Sequence, residues 1–379
     1  MSLTILANEP LTESSTLYSR TFIDDITPNT EGHTFTTSAV GGFDTAGFTI
    51  KGTRDELQDW FDDGLMRRIE YINPEGIQAW EGYVHRMRYA VGTLVKTKTV
   101  DSLYNRIYMR YAPLDFSVFP PIAGTPQDLI FDDIASQQDF GIKSAILSGG
   151  ERAADTAYNW GRTVLKEKKD IQIGETVNTA SSDVLSIEVE CRGYWHTLKW
   201  LPYISAAATG YIQSHEVIRE VLEFFNSVNQ GWLPQDFGWL DYNFAKSRRG
   251  YDSLQSCQEV IKNIIDEGGL GGERWIGGFY QDRNFLYKAA EDVLGLYSEY
   301  FDLYRSLDDP AQMIFDSVMG TEIKYWDMVP DRILRTVDDL SDDMYIEQIT
   351  YREPYSLNLV GGDDQRLSVF LKQKGLPSI

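Results

Sequence analysis

Residues 40–88 read V-G-G-F-D-T-A-G-F-T-I-K-G-T-R-D-E-L-Q-D-W-F-D-D-G-L-M-R-R-I-E-Y-I-N-P-E-G-I-Q-A-W-E-G-Y-V-H-R-M-R. Residues 43–51 are rich in Phe, Thr and Ile, side chains that fit a pleated surface, and predict a strand. Thr53 then opens a helix, with Glu56 three residues on to complete a reciprocal capping box. Leu57, Trp60 and Phe61 follow at helical spacing and define the buried face. Gly64 is expected as a left-handed C-terminal cap, with Leu65 folding back as its apolar contact. Residues 68–72 alternate, Asn73-Pro74-Glu75-Gly76 turns the chain, and residues 77–84 return. Residues 85–91 continue with Met87 and Tyr89 alternating against Arg86 and Arg88. The order is strand, capped short helix, hairpin. One helix cannot cover both faces of so long a sheet, so a small β-barrel or sandwich with the helix on its flank is predicted. Trp60, Phe61 and Trp80 read as core rather than chemistry.

The chain has 379 residues, enough for two or three domains. Hydrophobic residues make up 42% and aromatics 13%, enough for a sizeable core. The formal charge is -22, against the basic footprint of nucleic-acid binders and of the wrong sign for anionic membranes. The first residues, Met1-Ser2-Leu3-Thr4-Ile5-Leu6, lack a basic region followed by an apolar run, so no secretory leader is expected. No apolar run approaches the length of a membrane span. Cys191 and Cys257 fall in a strand-like and a helix-like segment and read as free buried thiols, although spacing leaves a disulfide open.

Taken in order, residues 3–24 hold two strand candidates around Asn8-Glu9-Pro10, and residues 24–32 a polar loop. Strands follow at 94–100 and 103–111, and the proline-bearing stretch 113–126 marks a boundary. Residues 127–138 show helical spacing in Leu129, Ile130 and Ile134, 140–147 read as a strand, and Ser148-Gly149-Gly150 as a turn. Residues 151–169 read as helical or partly irregular, with lysines at the end that suit a helix C-terminus. Residues 184–191 alternate as a strand and run on into Gly193-Tyr194-Trp195-His196-Thr197-Leu198-Lys199-Trp200. Helices are predicted over 214–228 and 253–267, separated by an aromatic loop at 229–244 whose rings read as buried, with a platform for sugars as the lesser alternative. Residues 283–287 read as a strand, and 313–371 are β-like, with strands at 321–326, 332–337, 344–351, 353–360 and 366–372.

Catalytic and metal signatures do not assemble. His215-Glu216 starts like a zinc-protease helix, but Arg219 stands at the second histidine position. Gly269-Leu270-Gly271 follows a helix, and Arg274 replaces the third glycine of a dinucleotide loop. The Asp338-Asp339 and Asp342-Asp343 turn lacks the spacing of a calcium loop, though a looser cation site there stays open. Glycoside hydrolysis needs only two carboxylates, so spacing does not dismiss it. No catalytic, cofactor-binding or metal-ligating residue is assigned, and no cofactor is expected.

The stretches Gly42-Phe43-Asp44-Thr45-Ala46 to Gly52-Thr53-Arg54, the Leu57, Trp60 and Gly64 helix, and Asn73-Pro74 with Trp80-Glu81-Gly82 together resemble the N-terminal domain of phage tail baseplate hub proteins. The G-Y-W-x-T-L-x-W run at 193–200 and the R-W-x-x-G-x-Y pattern from Arg274 are similar to hub-like tail proteins as well. The resemblance implies an α+β, mainly β chain with two tube-like β-barrels, each with a flanking helix, and an inserted small α/β domain. The expected limits are 1–112 for the first barrel, 113–182 with 204–285 for the insertion, and 183–203 with 286–379 for the second barrel. It further implies a non-enzymatic homotrimer in the virion, assembled in the host cytoplasm. Its partners would be a tail tube or distal tail protein and a spike or fibre, with no stable nucleic-acid binding. A distal tail or carbohydrate-binding tail protein and a tail-associated glycan hydrolase are the competing readings.

Overall fold

The computed structural model describes residues 3–9, 22–73, 76–177, 185–204, 210–233, 239–248, 255–270, 274–280, 283–289, 300–305, 313–317, 333–336, 344–352 and 356–362. The chain starts with β1 (Thr4–Asn8), β2 (Phe22–Asp25), a 3-10 turn at Thr27–Asn29, β3 (Thr30–Ser38), β4 (Val40–Ile50), α1 (Arg54–Asp63), β5 (Arg68–Ile72), β6 (Gln78–Val91) and β7 (Leu94–Thr99). It continues through β8 (Arg106–Asp115), β9 (Ile122–Ala123), β10 (Gln127–Asp132), α2 (Ile134–Phe140), β11 (Ser144–Arg152), α3 (Ala154–Lys168) and β12 (Ile173–Val177). Next come β13 (Leu185–Arg192), a 3-10 stretch at Tyr194–Trp200, β14 (Tyr211–Gln213), α4 (Ser214–Val228), β15 (Trp239–Leu240), β16 (Lys246–Arg248) and α5 (Cys257–Glu267). The last strands are β17 (Trp275–Tyr280), β18 (Arg283–Ala289), β19 (Tyr300–Arg305), β20 (Met313–Ser317), β21 (Ile333–Thr336), β22 (Met344–Arg352) and β23 (Ser356–Gly362).

The main ladder runs β2-β1-β5-β6-β13-β4-β3-β22-β23, every neighbour antiparallel. It curls around Ile5, Phe35, Phe43, Phe48, Tyr71 and Trp80, all buried. Their rings interlock, with Tyr71 edge-on to Trp80 at 5.8 Å and tilted against Phe35 at 5.6 Å. Among the described residues no ladder joins β2 to β3 or β23, so the sheet is curled but open. The 3-10 turn bridges the seam instead: Ile26 donates its N–H to Ile5 O at 3.0 Å, and Lys51 donates to Asn29 O at 2.8 Å. β7 and then β12 extend the sheet beside the second half of β6.

Helix α1 lies on the flank, burying Leu57 and Phe61, with the Phe61 ring 5.6 Å from Tyr89. Its capping box forms as the spacing predicts: Thr53 N–H donates to Glu56 Oε2 at 2.8 Å and Glu56 N–H to Thr53 Oγ1 at 3.4 Å. The C-terminus differs from expectation. Gly64 is right-handed (φ -79°) and Met66 takes the positive φ of 62°. Gly64 is needed for close approach, since a Cβ there would sit 2.4 Å from Trp60 O and 2.7 Å from Met87 Sδ. Trp60 is half-buried, beneath the Arg67 guanidinium at 4.4 Å.

A second, smaller sheet has β8 at its centre, antiparallel to β10 and parallel to β11. Helix α3 covers one face, enclosing Ile107, Met109, Tyr111, Phe131 and Ala157 in a separate core. Helices α4 and α5 instead share the main core, with Val221, Phe225, Ile261 and Ile264 packed in one cluster with Trp200 and Trp232.

The ladders cross the expected domain limits. β13, which the resemblance places in a second barrel, lies between β4 and β6 of the N-terminal sheet. β8, assigned to the first domain, forms the small unit with β10, β11 and α3. Several local expectations also change. Residues 127–132 form a strand rather than a helix, because Leu129 and Phe131 alternate into the α3 core and Asp133 caps α2 through Ser136 N–H. β11 passes through Ser148-Gly149-Gly150 as an irregularity in register rather than a turn. The aromatic run at 194–200 coils into a 3-10 stretch that buries Tyr194, Trp195, Leu198 and Trp200. Helix α5 begins at Cys257, later than expected, because Ser256 and Glu259 form a capping box. The strands expected at 321–326 and 366–372 lie outside the described residues.

Candidate functional site

Among the described residues, a cluster of buried ionisable groups lies where the small sheet, the helix pair and the main sheet meet. Residues 141–143 tie the three together. Asn105, beside β8, accepts Lys143 N–H through Oδ1 at 2.8 Å and donates from Nδ2 to Gly141 O at 2.7 Å. Asn229, at the end of α4, exchanges two bonds with Ile142: it accepts the Ile142 N–H at 2.7 Å and donates to its carbonyl at 3.0 Å. The buried Lys143 side chain then reaches the main sheet, donating from Nζ to Val100 O between the rings of Trp200 (5.5 Å) and Tyr104 (5.9 Å). Around it, Arg192 Nη1 meets Asp101 Oδ1 at 3.1 Å and His85 Nδ1 lies 3.6 Å from the same oxygen. His196 Nε2 meets Asp44 Oδ1 at 2.6 Å.

Burial pulls the Lys143 ammonium down to about 8, with Asp101 opposing and Arg192 adding to the shift. Burial, reinforced by Arg192, pulls His85 down to about 4. Both groups therefore disfavour their charged forms inside the fold, which sets the sign of two pH effects. Above about pH 6.5 His85 is neutral in both folded and unfolded chains. As pH falls toward 4 only the unfolded chain takes the proton, and stability is lost by up to about 3 kcal/mol. Between pH 8 and 10.5 the unfolded chain holds a proton that folded Lys143 has released, so this group makes stability rise with pH. Denaturant midpoints across pH 4–10.5 should show both slopes. His85→Gln should flatten the acid one and Lys143→Met the alkaline one.

A second buried network pins β5, β6 and the 194–200 stretch. The Glu81 carboxylate accepts Tyr194 OH at 2.6 Å, Gln78 Nε2 at 2.8 Å and the Arg68 guanidinium. Sequence reading missed both clusters, because their members are scattered over more than one hundred residues and are brought together only by strand pairing.

The aromatic loop divides. Trp232 is buried against Trp200 at a ring distance of 6.0 Å, whereas Tyr242 and Phe244 are 75% and 67% exposed. Asn243 holds the loop, donating from Nδ2 to Gly268 O at 3.2 Å and to the Tyr287 hydroxyl oxygen at 2.8 Å. His215 belongs to this support: its Nδ1 lies 3.3 Å from Asn243 N, and its ring is edge-on to Tyr242 at 5.0 Å. Among the described residues no three His, Cys, Asp or Glu side chains converge as a metal site. The Asp338–Asp343 cluster lies outside those residues. Cys191 and Cys257 are both buried and free, and burial raises both thiols.

These features define an α+β, mainly β protein: a large curled antiparallel sheet carrying a small α/β unit and a packed helix pair. Among the described residues no helix is long and apolar enough to cross a membrane. No family model matches the sequence, and no curated protein matches it. Among solved structures the chain superposes on the crystal structure of the prophage MuSo2 43 kDa tail protein from Shewanella oneidensis. The superposition covers 97% of this chain and 98% of that one, at 7% identity and a TM-score of 0.42. Likeness at that level defines neither family nor role.

Proposed function

We propose that this chain is a structural subunit of a bacteriophage tail, a baseplate hub joining the tail tube or a distal tail protein to a central spike or fibre. The observation that carries the reading is the curled antiparallel sheet in which strand, capped helix and hairpin of residues 40–88 follow in the order on which the hub resemblance rests. β12 and β23 each have a ladder on one side only among the described residues. Such open edges are normally covered, and pairing between subunits covers them. In this reading three copies form a closed ring, each contributing two barrel-like halves to a pseudo-sixfold face that matches a hexameric tube. The role is assembly in the virion and matching of symmetry, without catalysis, cofactor or stable nucleic-acid binding. The charge of -22 suits a lumen that DNA slides through.

The mass of the purified protein in solution tests this. Three copies are expected; six would favour a distal tail ring, and a monomer at high concentration would overturn the hub. Release of glycan fragments from purified cell wall would overturn the non-catalytic part. A second reading, glycan binding, is favoured by the exposure of Tyr242 and Phe244. It predicts calorimetric binding of cell-surface glycan that Tyr242→Ala and Phe244→Ala remove.

A further inference from the structure

The small α/β unit keeps its own core, Ile107, Met109, Tyr111, Phe131 and Ala157, apart from the core shared by the main sheet and the helix pair. The backbone passes between the two bodies at residues 100–105, from β7 to β8, and at 169–173, from α3 to β12. These crossings run side by side: Lys98 is opposite Ile173 in the β7–β12 ladder, and Tyr104 donates its N–H to Lys168 O at 2.8 Å. Two adjacent backbone crossings make a hinge. Away from it, residues 140–143 hold the unit in place. Ile142 exchanges its two bonds with the Asn229 side chain, and a Cβ on Gly141 would meet the Trp232 ring at 2.9 Å. Lys143 Nζ donates to Val100 O, within the first crossing. Phe140 and Ile142 pack against the main core but stay half-buried.

Charge at the hinge is unevenly matched. Asp101 Oδ1 lies 3.1 Å from Arg192 Nη1 and 3.6 Å from His85 Nδ1, and Lys143 shares the field of the same carboxylate. His85 Nδ1 has no hydrogen-bond partner among the described residues. Of the other titratable groups facing it, His196 of the 3-10 stretch is paired with Asp44 of β4, and burial keeps the Tyr83 phenol protonated. A proton on His85 therefore brings a third cation to one carboxylate. β6 and β13, which bear His85 and Arg192, are paired along the whole of β13 and cannot part without unzipping the centre of the main sheet. Lys143 follows a loop and is the cation free to yield. Val100 connects the two events, since its N–H donates to His85 O at 3.1 Å and its carbonyl accepts Lys143.

We infer that the small α/β unit is hinged at 100–105 and 169–173 and latched by residues 141–143, and that protonation of His85 opens the latch. Lys143 leaves Val100, Ile142 leaves Asn229, and the unit swings away with both cores intact. Burial, reinforced by Arg192, holds His85 at about 4 while the latch is closed, and hydration in the open form returns it toward its ordinary value of about 6.5. The closed form is fully favoured above that ordinary value and loses its advantage as pH falls toward 4. The opening constant then rises nearly tenfold per pH unit, roughly fifty-fold between pH 7 and 4.5. This opening precedes global unfolding, because the open form takes the proton without exposing either core.

Hydrogen exchange read by mass spectrometry at pH 7 and 4.5, corrected for the intrinsic chemical rate, tests the latch. Peptides spanning 140–144 and 229–233 should exchange roughly fifty-fold faster at pH 4.5, while those within 107–111 and 187–191 keep their protection. His85→Gln should remove the acid response. Asn229→Ala should loosen 140–144 already at pH 7, on the order of tenfold for two lost hydrogen bonds, with both cores still protected. Acid acceleration confined to the latch peptides and absent from His85→Gln supports the device. Equal acceleration in the core peptides overturns it, since His85 then acts on global unfolding alone. Unchanged wild-type exchange at pH 4.5, or acceleration that His85→Gln retains, overturns it as well. If His85→Gln does not fold, Asn229→Ala decides: unchanged exchange at 140–144, or loss of protection in both cores, overturns the latch, and loosening confined to 140–144 and 229–233 supports it.

Discussion

Gly278→Val is expected to abolish folding, or to leave a protein destabilised by about 3 kcal/mol or more, the upper range of an overpacked core. β17 runs parallel to β4 with Gly277 opposite Val40, Gly278 opposite Gly41 and Phe279 opposite Gly42. A Cβ on Gly278 would lie 2.1 Å from Gly41 C and 2.4 Å from Gly42 N. From the other side, a Cβ on Gly42 would lie 1.8 Å from Phe279 O, and Gly42 holds a φ of 75°. The obstructing atoms are backbone on both sides, so no rotamer change relieves them. Gly76→Ala is the control: its φ of 82° is equally left-handed, but nothing lies within 4 Å of the added carbon. It should cost only the strain of about 1 kcal/mol. Soluble yield and denaturant midpoints of Gly278→Val, Gly42→Val and Gly76→Ala separate close approach from backbone strain. Equal losses in all three would mean that the strand crossing is not the cause.

Arg68→Met is expected to cost about 3–5 kcal/mol, the loss seen when one member of a buried ion pair is removed. The Glu81 side chain is 11% exposed and that of Arg68 is 18% exposed. Without the guanidinium, the carboxylate keeps only the neutral donors Tyr194 OH and Gln78 Nε2. Adding Glu81→Gln should recover much of the loss, since the remaining partners then face a neutral amide. Urea unfolding of the two single variants and the double variant measures this coupling. Additive losses would show that the pair does not act as a unit.

The fold was legible in the sequence wherever one segment contains its own instruction. Thr53 and Glu56 announce the start of α1, and Ile218, Val221, Leu222 and Phe225 mark the buried face of α4. The alternation at 184–191 is that of β13, and the strand predicted at 283–287 begins β18. Residues 127–132 misled because Leu129, Ile130 and Ile134 fit a helical period as well as a strand followed by a capped helix. The covering of Leu129 and Phe131 by α3 decides between the two. The 194–200 stretch has no period that announces its 3-10 coil, although its aromatics are buried in the core. There Gly193 passes close to Phe43 O, 1.8 Å from an added Cβ, at the point where β13 gives way to the coil.

The candidate clusters were hidden for a related reason. Lys143, His85, Asp101 and Arg192 carry no shared motif, and neither do Glu81, Arg68 and Tyr194. Each group exists only because strands distant in the chain are neighbours in the sheet. By itself the sequence determined the mainly β class, the capped helices, most strand positions and the acidic character, since periodicity, capping and charge are properties of a few adjacent residues. Only the tertiary structure decided that β13 sits between β4 and β6 and that Lys143 is buried at a three-way junction. Alternation tells a strand which face to bury but not which strand to pair with, and pairing partners are chosen by long-range packing.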